Sequence, residues 1–343
     1  MLISNAIMLA ITVFLAVVLF AGASVHDDGQ YFFDMNNSNA LRGFWCLIVI
    51  LVHIPQAHQN RIQDMIGSFA YIGVTFFFMT SAYGLKMQMS KNPSVIKTFW
   101  RKRLPKLLVP SFTVNIISVI VTIITGGEIT IVDLFSINGW VMWLLICYIF
   151  FWISYRFVGR ENKDWVVVLL ICTFSVVMYI LKMHGSTRIV WCTEIFGFIW
   201  GLCLADMKDT VLRFAKEKWI QKVVALWCVS CLCGLSYLRF KSEIFWGDYL
   251  LKIALGFLLL FLLLLFNSRI CFNNRISNFL GWISFEVYLT HHLVFRVLDI
   301  TLPSMNSGVF IALSLLTTIV LATVEKYINQ SVLTTVDRII FVK

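Results

Sequence analysis

An all-α, polytopic integral membrane bundle of about eleven transmembrane helices is the fold this sequence predicts. Three observations carry that expectation. Of 343 residues, 59% are hydrophobic and only 13% are charged, about half the charge of a soluble domain. Mean hydropathy is +0.85, and apolar runs repeatedly reach the roughly 18 to 20 residues that cross hydrocarbon. Such runs are too numerous for one globular core. Most of the 28 Lys and Arg residues fall in alternate connections between the runs, the pattern that sets membrane orientation. The same distribution argues against nucleic acid as the partner of a chain with net charge +10; the lipid bilayer is the partner expected.

The runs fall at 2–23, 41–58, 66–85, 107–125, 138–155, 164–182, 189–206, 220–237, 248–267, 278–298 and 308–326. The first ends in Ala21-Gly22-Ala23, which could pass for a cleavage site. No Lys or Arg precedes it and it is too long for a signal-peptide core, so it is expected to remain as an extra span. Residues 1–40 then comprise this helix and a polar linker, and 41–343 form one membrane domain with no soluble appendage. After the third run come Lys86, Lys91, Lys97, Arg101, Lys102, Arg103 and Lys106, which place that connection in the cytoplasm. Alternation puts the N-terminus outside and the C-terminus inside, with Arg61, Lys182, Arg188, Arg239, Lys241, Lys252 and Arg296 on the outer side. The connection 126–139 carries Glu128 and Asp133 without a cation, as an outer loop should. Of nine Cys, most lie within apolar runs. Cys228-x-x-Cys231 has no second ligand pair nearby, so apolar packing is expected of it and no metal site.

Within the second run, LRGFWCLIVILVH, Arg42 and His53 are separated by ten residues that are almost all apolar. Eleven helical steps total about three turns plus 20°, so both fall on one face about 16 Å apart along the axis. Intramembrane polar groups mark functional sites by default. An arginine at a helix end also fits simple snorkelling. A histidine deep in a span fits a structural role less well, because it needs a partner there. His53 suits a general base, since imidazole titrates near neutrality, and Arg42 suits an anionic or carbonyl group of a donor arriving from the cytoplasm. WRKRLPKLLVPSF (100–112) clusters Arg101, Lys102, Arg103 and Lys106 at the cytoplasmic mouth. On charge alone this is a positive-inside anchor, but its density also suits the phosphates of a nucleotide-like donor. LGWISFEVYLTHHLVFR (280–296) holds Glu286, Tyr288, His291 and His292. Either histidine can share a face with Tyr288, and His291 sits at a depth similar to His53. Glu194 lies in the outer half of its run and could neighbour the histidines. Glu325, beside Lys326, is expected to mark the inner end of the last run.

Together these stretches resemble the membrane-bound acyltransferase family 3, bacterial O-acetyltransferases that act on cell-surface glycans. The resemblance rests on five segments in order: Arg42 to His53; FFFMTSAYGL (76–85), similar to an apolar helix ending in an SGYGL-like turn; RKRLPKLLVP (101–110); WVMWLLICY (140–148); and ISFEVYLTH (283–291). Ala82 stands where that turn has glycine, and Lys106 takes the second place of an RxxR pair with Arg103. Members commonly have ten spans, which makes the first run here additional. The resemblance implies acetyl-CoA as the donor, with no metal, and a surface or exopolysaccharide hydroxyl as the acceptor, at a plasma membrane. It casts Arg42 and His53 as catalytic, with His53 acting as base or briefly carrying the acyl group. Tyr288, His291, Glu194 and Glu286 are supporting candidates, and Arg101, Arg103 and Lys106 bind the CoA. Another acyl group such as succinyl, a lipid-linked acceptor, and a glycan or anion transporter are the alternatives. Against transport, the sequence shows no repeated halves and no pair of Gly/Pro-broken helices. A homo-oligomer is compatible with the sequence.

Overall fold

The structure, a computed structural model, describes residues 2–26, 29–185 and 191–341; Arg188 lies outside them. The long helices are α1 (Leu2–Phe20), α2 (Met35–Val52), α4 (Ala70–Lys91), α5 (Phe99–Ile124), α7 (Gly139–Phe157), α8 (Lys163–Met183), α9 (Phe196–Lys216), α10 (Trp219–Phe240), α11 (Lys252–Asn267), α12 (Arg275–Thr301) and α13 (Ser307–Phe341). Short helices α3 (Arg61–Gly67) and α6 (Ile131–Phe135) lie in connections. Eight helical segments are long and apolar enough to cross a membrane, and the chain is a multi-pass, all-α membrane protein. Among the long helices α2, α9 and α12 fall outside that set. Two of these three carry the candidate catalytic residues, whose polarity lowers their hydropathy.

The centre of the bundle is the parallel pair α2 and α12. Gly43 and Gly281 set its spacing. A Cβ on Gly43 would lie 2.3 Å from the Ser277 carbonyl oxygen, and one on Gly281 would lie 2.0 Å from that of Asn39. Only glycine permits that approach of backbones, as small residues do between membrane helices generally. Gly197 and Gly201, a GFIWG spacing, bring α9 equally close to α4. Helix α13 packs along α12 and α5, and α1 packs along α13. Strand residues Ser24–Val25 pair antiparallel with Ile270–Cys271 and pin the segment before α2 to the loop before α12. Asn37 is buried there and accepts from the Phe272 amide at 2.9 Å. Residues 35–40, expected to be linker, are thus the first turns of α2, capped by Asp34.

Several expected boundaries move, each for a physical reason. Helix α2 ends at Val52 rather than running to 58. Pro55 has no N–H for the Leu51 carbonyl, and its ring would clash with that carbonyl if the helix continued. Gln63 of α3 bonds the Leu51 carbonyl instead, and His53 becomes the C-cap. The expected turn within 76–85 is absent, because α4 runs unbroken to Lys91. Lys86 is therefore no loop cation. It is buried in α4 and paired with Asp164 at 2.9 Å and with Asp206, while Tyr155 Oη donates to Asp164 at 2.6 Å. That network joins four helices at one level. Helix α5 begins at Phe99, so Arg101 to Lys106 form its first turns. Cys228 and Cys231 are exposed on α10 rather than packed. Glu325 does not mark a helix end. It is fully buried inside α13, which continues to Phe341, and both its carboxylate oxygens lack a hydrogen-bond partner.

Candidate active site

The α2–α12 pair positions two polar groups of side chains, separated along its axis. The first surrounds Arg42, about two turns into α2. Arg42, Thr80, Ser81, Gly84, Arg103, Lys106, Trp140, Tyr148, Glu286 and Lys326 line a chamber of about 390 Å³, a volume typical of small-ligand sites. Gly84 leaves space, since a Cβ there would meet nothing within 4 Å. Thr80, Ser81 and Gly84 are the segment expected to be a turn; as helix, they give α4 a small-residue face toward the chamber. Four cations face one carboxylate. That carboxylate, Glu286, is engaged by Lys326 Nζ at 3.2 Å and Asn329 Nδ2 at 3.3 Å. The Arg103 guanidinium bonds Gln88. Arg42 lies over the Phe77 ring, 5.5 Å from its centroid, and its Nε is buried without a hydrogen-bond partner. Among the described residues no carboxylate pairs with Arg42. An unpaired guanidinium in a cationic chamber is suited to an anionic or carbonyl ligand.

The second group lies about 16 Å further along α2, by helical rise. His53 Nδ1 is 2.9 Å from the Val49 carbonyl oxygen and 3.2 Å from His291 Nε2. His291 Nδ1 is 3.2 Å from the Val287 carbonyl oxygen. A carbonyl only accepts, so each Nδ1 carries the proton. His291 Nε2 is then free to accept from His53 Nδ1–H, and His53 Nε2 keeps its lone pair. A ring held by its Nδ1–H, with Nε2 available, is the arrangement of a histidine base and its orienter. His292, exposed, lies 4.7 Å from His53 and 4.2 Å from His291 between ring centroids.

An aromatic layer separates chamber and histidines. Trp140, which lines the chamber, packs on Tyr288 at 4.9 Å and Phe285 at 5.7 Å, and touches Phe77 and Phe78. Tyr288 in turn meets His291 at 5.6 Å. A groove of 700 Å³ between α5, α6 and α13 is larger than the chamber but almost wholly apolar, and it contains no candidate catalytic group.

Residues 35–325 match the model of acyltransferase family 3, described as an acyltransferase domain. The chain belongs to acyltransferase family 3. No curated protein and no solved structure shows significant similarity to it. This membrane acyltransferase carries α1 ahead of the matched segment, and Lys326 directly after it.

In the acyltransferase, the structure brings Arg42, Arg103, Lys106 and Glu286 to one chamber, and His53, Tyr288 and His291 to the layer beyond it. Two candidates fall elsewhere. Glu194 lies in the turn before α9, not in a span, and its carboxylate is taken by Lys252 Nζ at 2.6 Å and Thr193 Oγ1 at 2.8 Å; it bonds neither histidine. Arg101 is exposed on α5 and is not among the residues lining the chamber. Three participants went unassigned in the sequence. Lys326 enters the sequence reading only as the neighbour of Glu325, although its spacing from Asn329 on one helix is visible. Trp140 and Tyr148 lie in a recognised segment, yet only the fold shows that they face Arg42.

Proposed function

We propose that this membrane acyltransferase transfers an acetyl group from cytoplasmic acetyl-CoA to a sugar hydroxyl of a cell-surface or exopolysaccharide. One observation supports the reading above others: a cation-lined chamber and an imidazole lone pair lie on one helix, divided by an aromatic layer. The donor's anionic portion enters among Arg103, Lys106 and Lys326, and Arg42 orients the donor so that its thioester points past Trp140 toward His53. The acceptor hydroxyl reaches His53 from the opposite side. Its proton moves to His53 Nε2 while its oxygen bonds the thioester carbonyl carbon. The carbon–sulfur bond breaks, and the CoA thiolate leaves and takes up a proton. His291 holds the His53 ring and stabilises the imidazolium that forms. Tyr288 and Trp140 keep bulk water from the thioester.

In this proposal all eleven long helices cross a plasma membrane, α1 as a span added to a core from residue 41. The N-terminus is outside, and the chamber opens to the cytoplasm, in line with the basic first turns of α5. Labelled acetyl-CoA supplied to purified membranes tests the reaction. Label should enter polysaccharide as an alkali-labile ester, and Arg42→Ala or His53→Ala at normal expression should abolish this. Full transfer by His53→Ala refutes the mechanism, and solute movement without incorporation refutes the enzyme in favour of a carrier.

A further inference from the structure

The three histidines have a second capacity that the transfer chemistry does not use. One ring nitrogen from each of His53, His291 and His292 lies within 4.8 Å of the others. Metal–nitrogen bonds of about 2.0–2.1 Å in a tetrahedron place ligand nitrogens about 3.3 Å apart, so the rings need close by only about 1.5 Å. His53 Nδ1 and His291 Nε2 already stand 3.2 Å apart. The Nδ1–H of His291 faces the Val287 carbonyl, the outer-shell contact that orients ligating histidines, and binding through His53 Nδ1 moves the proton of that ring to Nε2. Three neutral imidazoles with a fourth position open form a donor set suited to Zn²⁺ and its borderline neighbours. His291 is almost fully buried (1% exposed), whereas His292 is exposed. The cluster therefore has a fixed floor and an accessible side.

We propose that His53, His291 and His292 bind one Zn²⁺-class ion, and that the ion blocks acyl transfer. The blocking half rests on His53 acting as base. A neutral imidazole has one lone pair. Whichever nitrogen of His53 binds the ion, the other then carries the proton and none is left to accept one from a hydroxyl. His292 serves only the ion, so the two activities separate at that residue.

The test uses the purified full-length protein in detergent, with Cys228→Ser and Cys231→Ser to remove an exposed thiol pair. Zn²⁺ binding is followed by calorimetry, and Co²⁺ binding by its visible absorption. One equivalent should bind, and His292→Ala should weaken binding at least tenfold. Saturating Zn²⁺ should lower transfer at least tenfold, EDTA should restore it, and His292→Ala should keep metal-free transfer while losing Zn²⁺ sensitivity. Absence of stoichiometric binding, or binding unchanged in His292→Ala, overturns the site. Binding at the site with undiminished transfer overturns the blockade. The binding measurements need no turnover, so failure of the acyltransferase reading registers separately, as label transfer unaffected by His53→Ala.

Discussion

His53 and His291 share one contact, but their removal should have different consequences. In the proposed reaction His53 takes the acceptor proton, so His53→Ala should lower kcat by about 10²- to 10⁴-fold, the usual contribution of a general base. His291 touches no substrate in the proposed reaction; it fixes a ring that Val49 also holds. His291→Ala should therefore lower kcat by about tenfold, leave the KM for the donor unchanged, and be partly rescued in His291→Gln, whose side-chain oxygen can accept from His53 Nδ1–H. Steady-state kinetics on purified protein decide this, and a His291→Ala defect as deep as that of His53→Ala would make His291 more than a positioning residue. Arg42 poses the complementary case. Its guanidinium has no ion pair among the described residues, so its charge is free for a ligand. Arg42→Lys keeps the charge but loses the planar fork, and donor KM should rise about tenfold, equivalent to about 1.4 kcal/mol. An unchanged KM would place the donor elsewhere.

At the scale of elements, packing depends on close backbone approach as much as on apolar burial. Gly281→Ala drives a Cβ into the Asn39 carbonyl and should cost about 1–3 kcal/mol, the usual penalty of overpacking. Gly84→Ala, with open space at the same atom, should be neutral in stability. Thermal unfolding in detergent compares them, and equal midpoints would refute the account of the α2–α12 pair. Most of the helices were legible, because length and apolarity locate eight of them, whereas the polar groups of α2, α9 and α12 weaken that signal. Their ends were less so, because ends depend on partners distant in sequence. The run expected to reach 58 passes through Pro55, which in the fold is a stop, and Gln63, which takes the orphaned Leu51 carbonyl, could be assigned only in the fold. The site divides the same way. The spacing from Arg42 to His53 and the depth shared with His291 follow from helical rise. The capture of Glu194 by Lys252, 58 positions away, and of Glu286 by Lys326 do not, since no helical period links residues on different elements.

In the proposed reaction the whole molecule passes an acyl group from one side to the other without opening a path for water. Trp140 is the residue on which that requirement falls. It is 3% exposed, faces Arg42 across the chamber, and packs on Tyr288, which packs on His291. If the donor's thioester advances past Trp140 only when the acceptor hydroxyl is present, truncating this side chain should uncouple the halves of the reaction. Trp140→Ala should release CoA thiol from acetyl-CoA without a glycan acceptor at several times the wild-type rate, while label in polysaccharide falls. The truncation also removes buried volume worth about 3–5 kcal/mol, so loss of transfer alone would not separate gating from unfolding. Thiol release does separate them, because an unfolded protein hydrolyses nothing, and Trp140→Phe, which keeps an aromatic plug, should restore coupling. If Trp140→Ala loses transfer with no gain in thiol release while Arg42 still binds donor, the aromatic layer is packing and water is excluded elsewhere. A gain in hydrolysis that Arg42→Ala abolishes would instead place the thioester between the two polar groups of the α2–α12 pair.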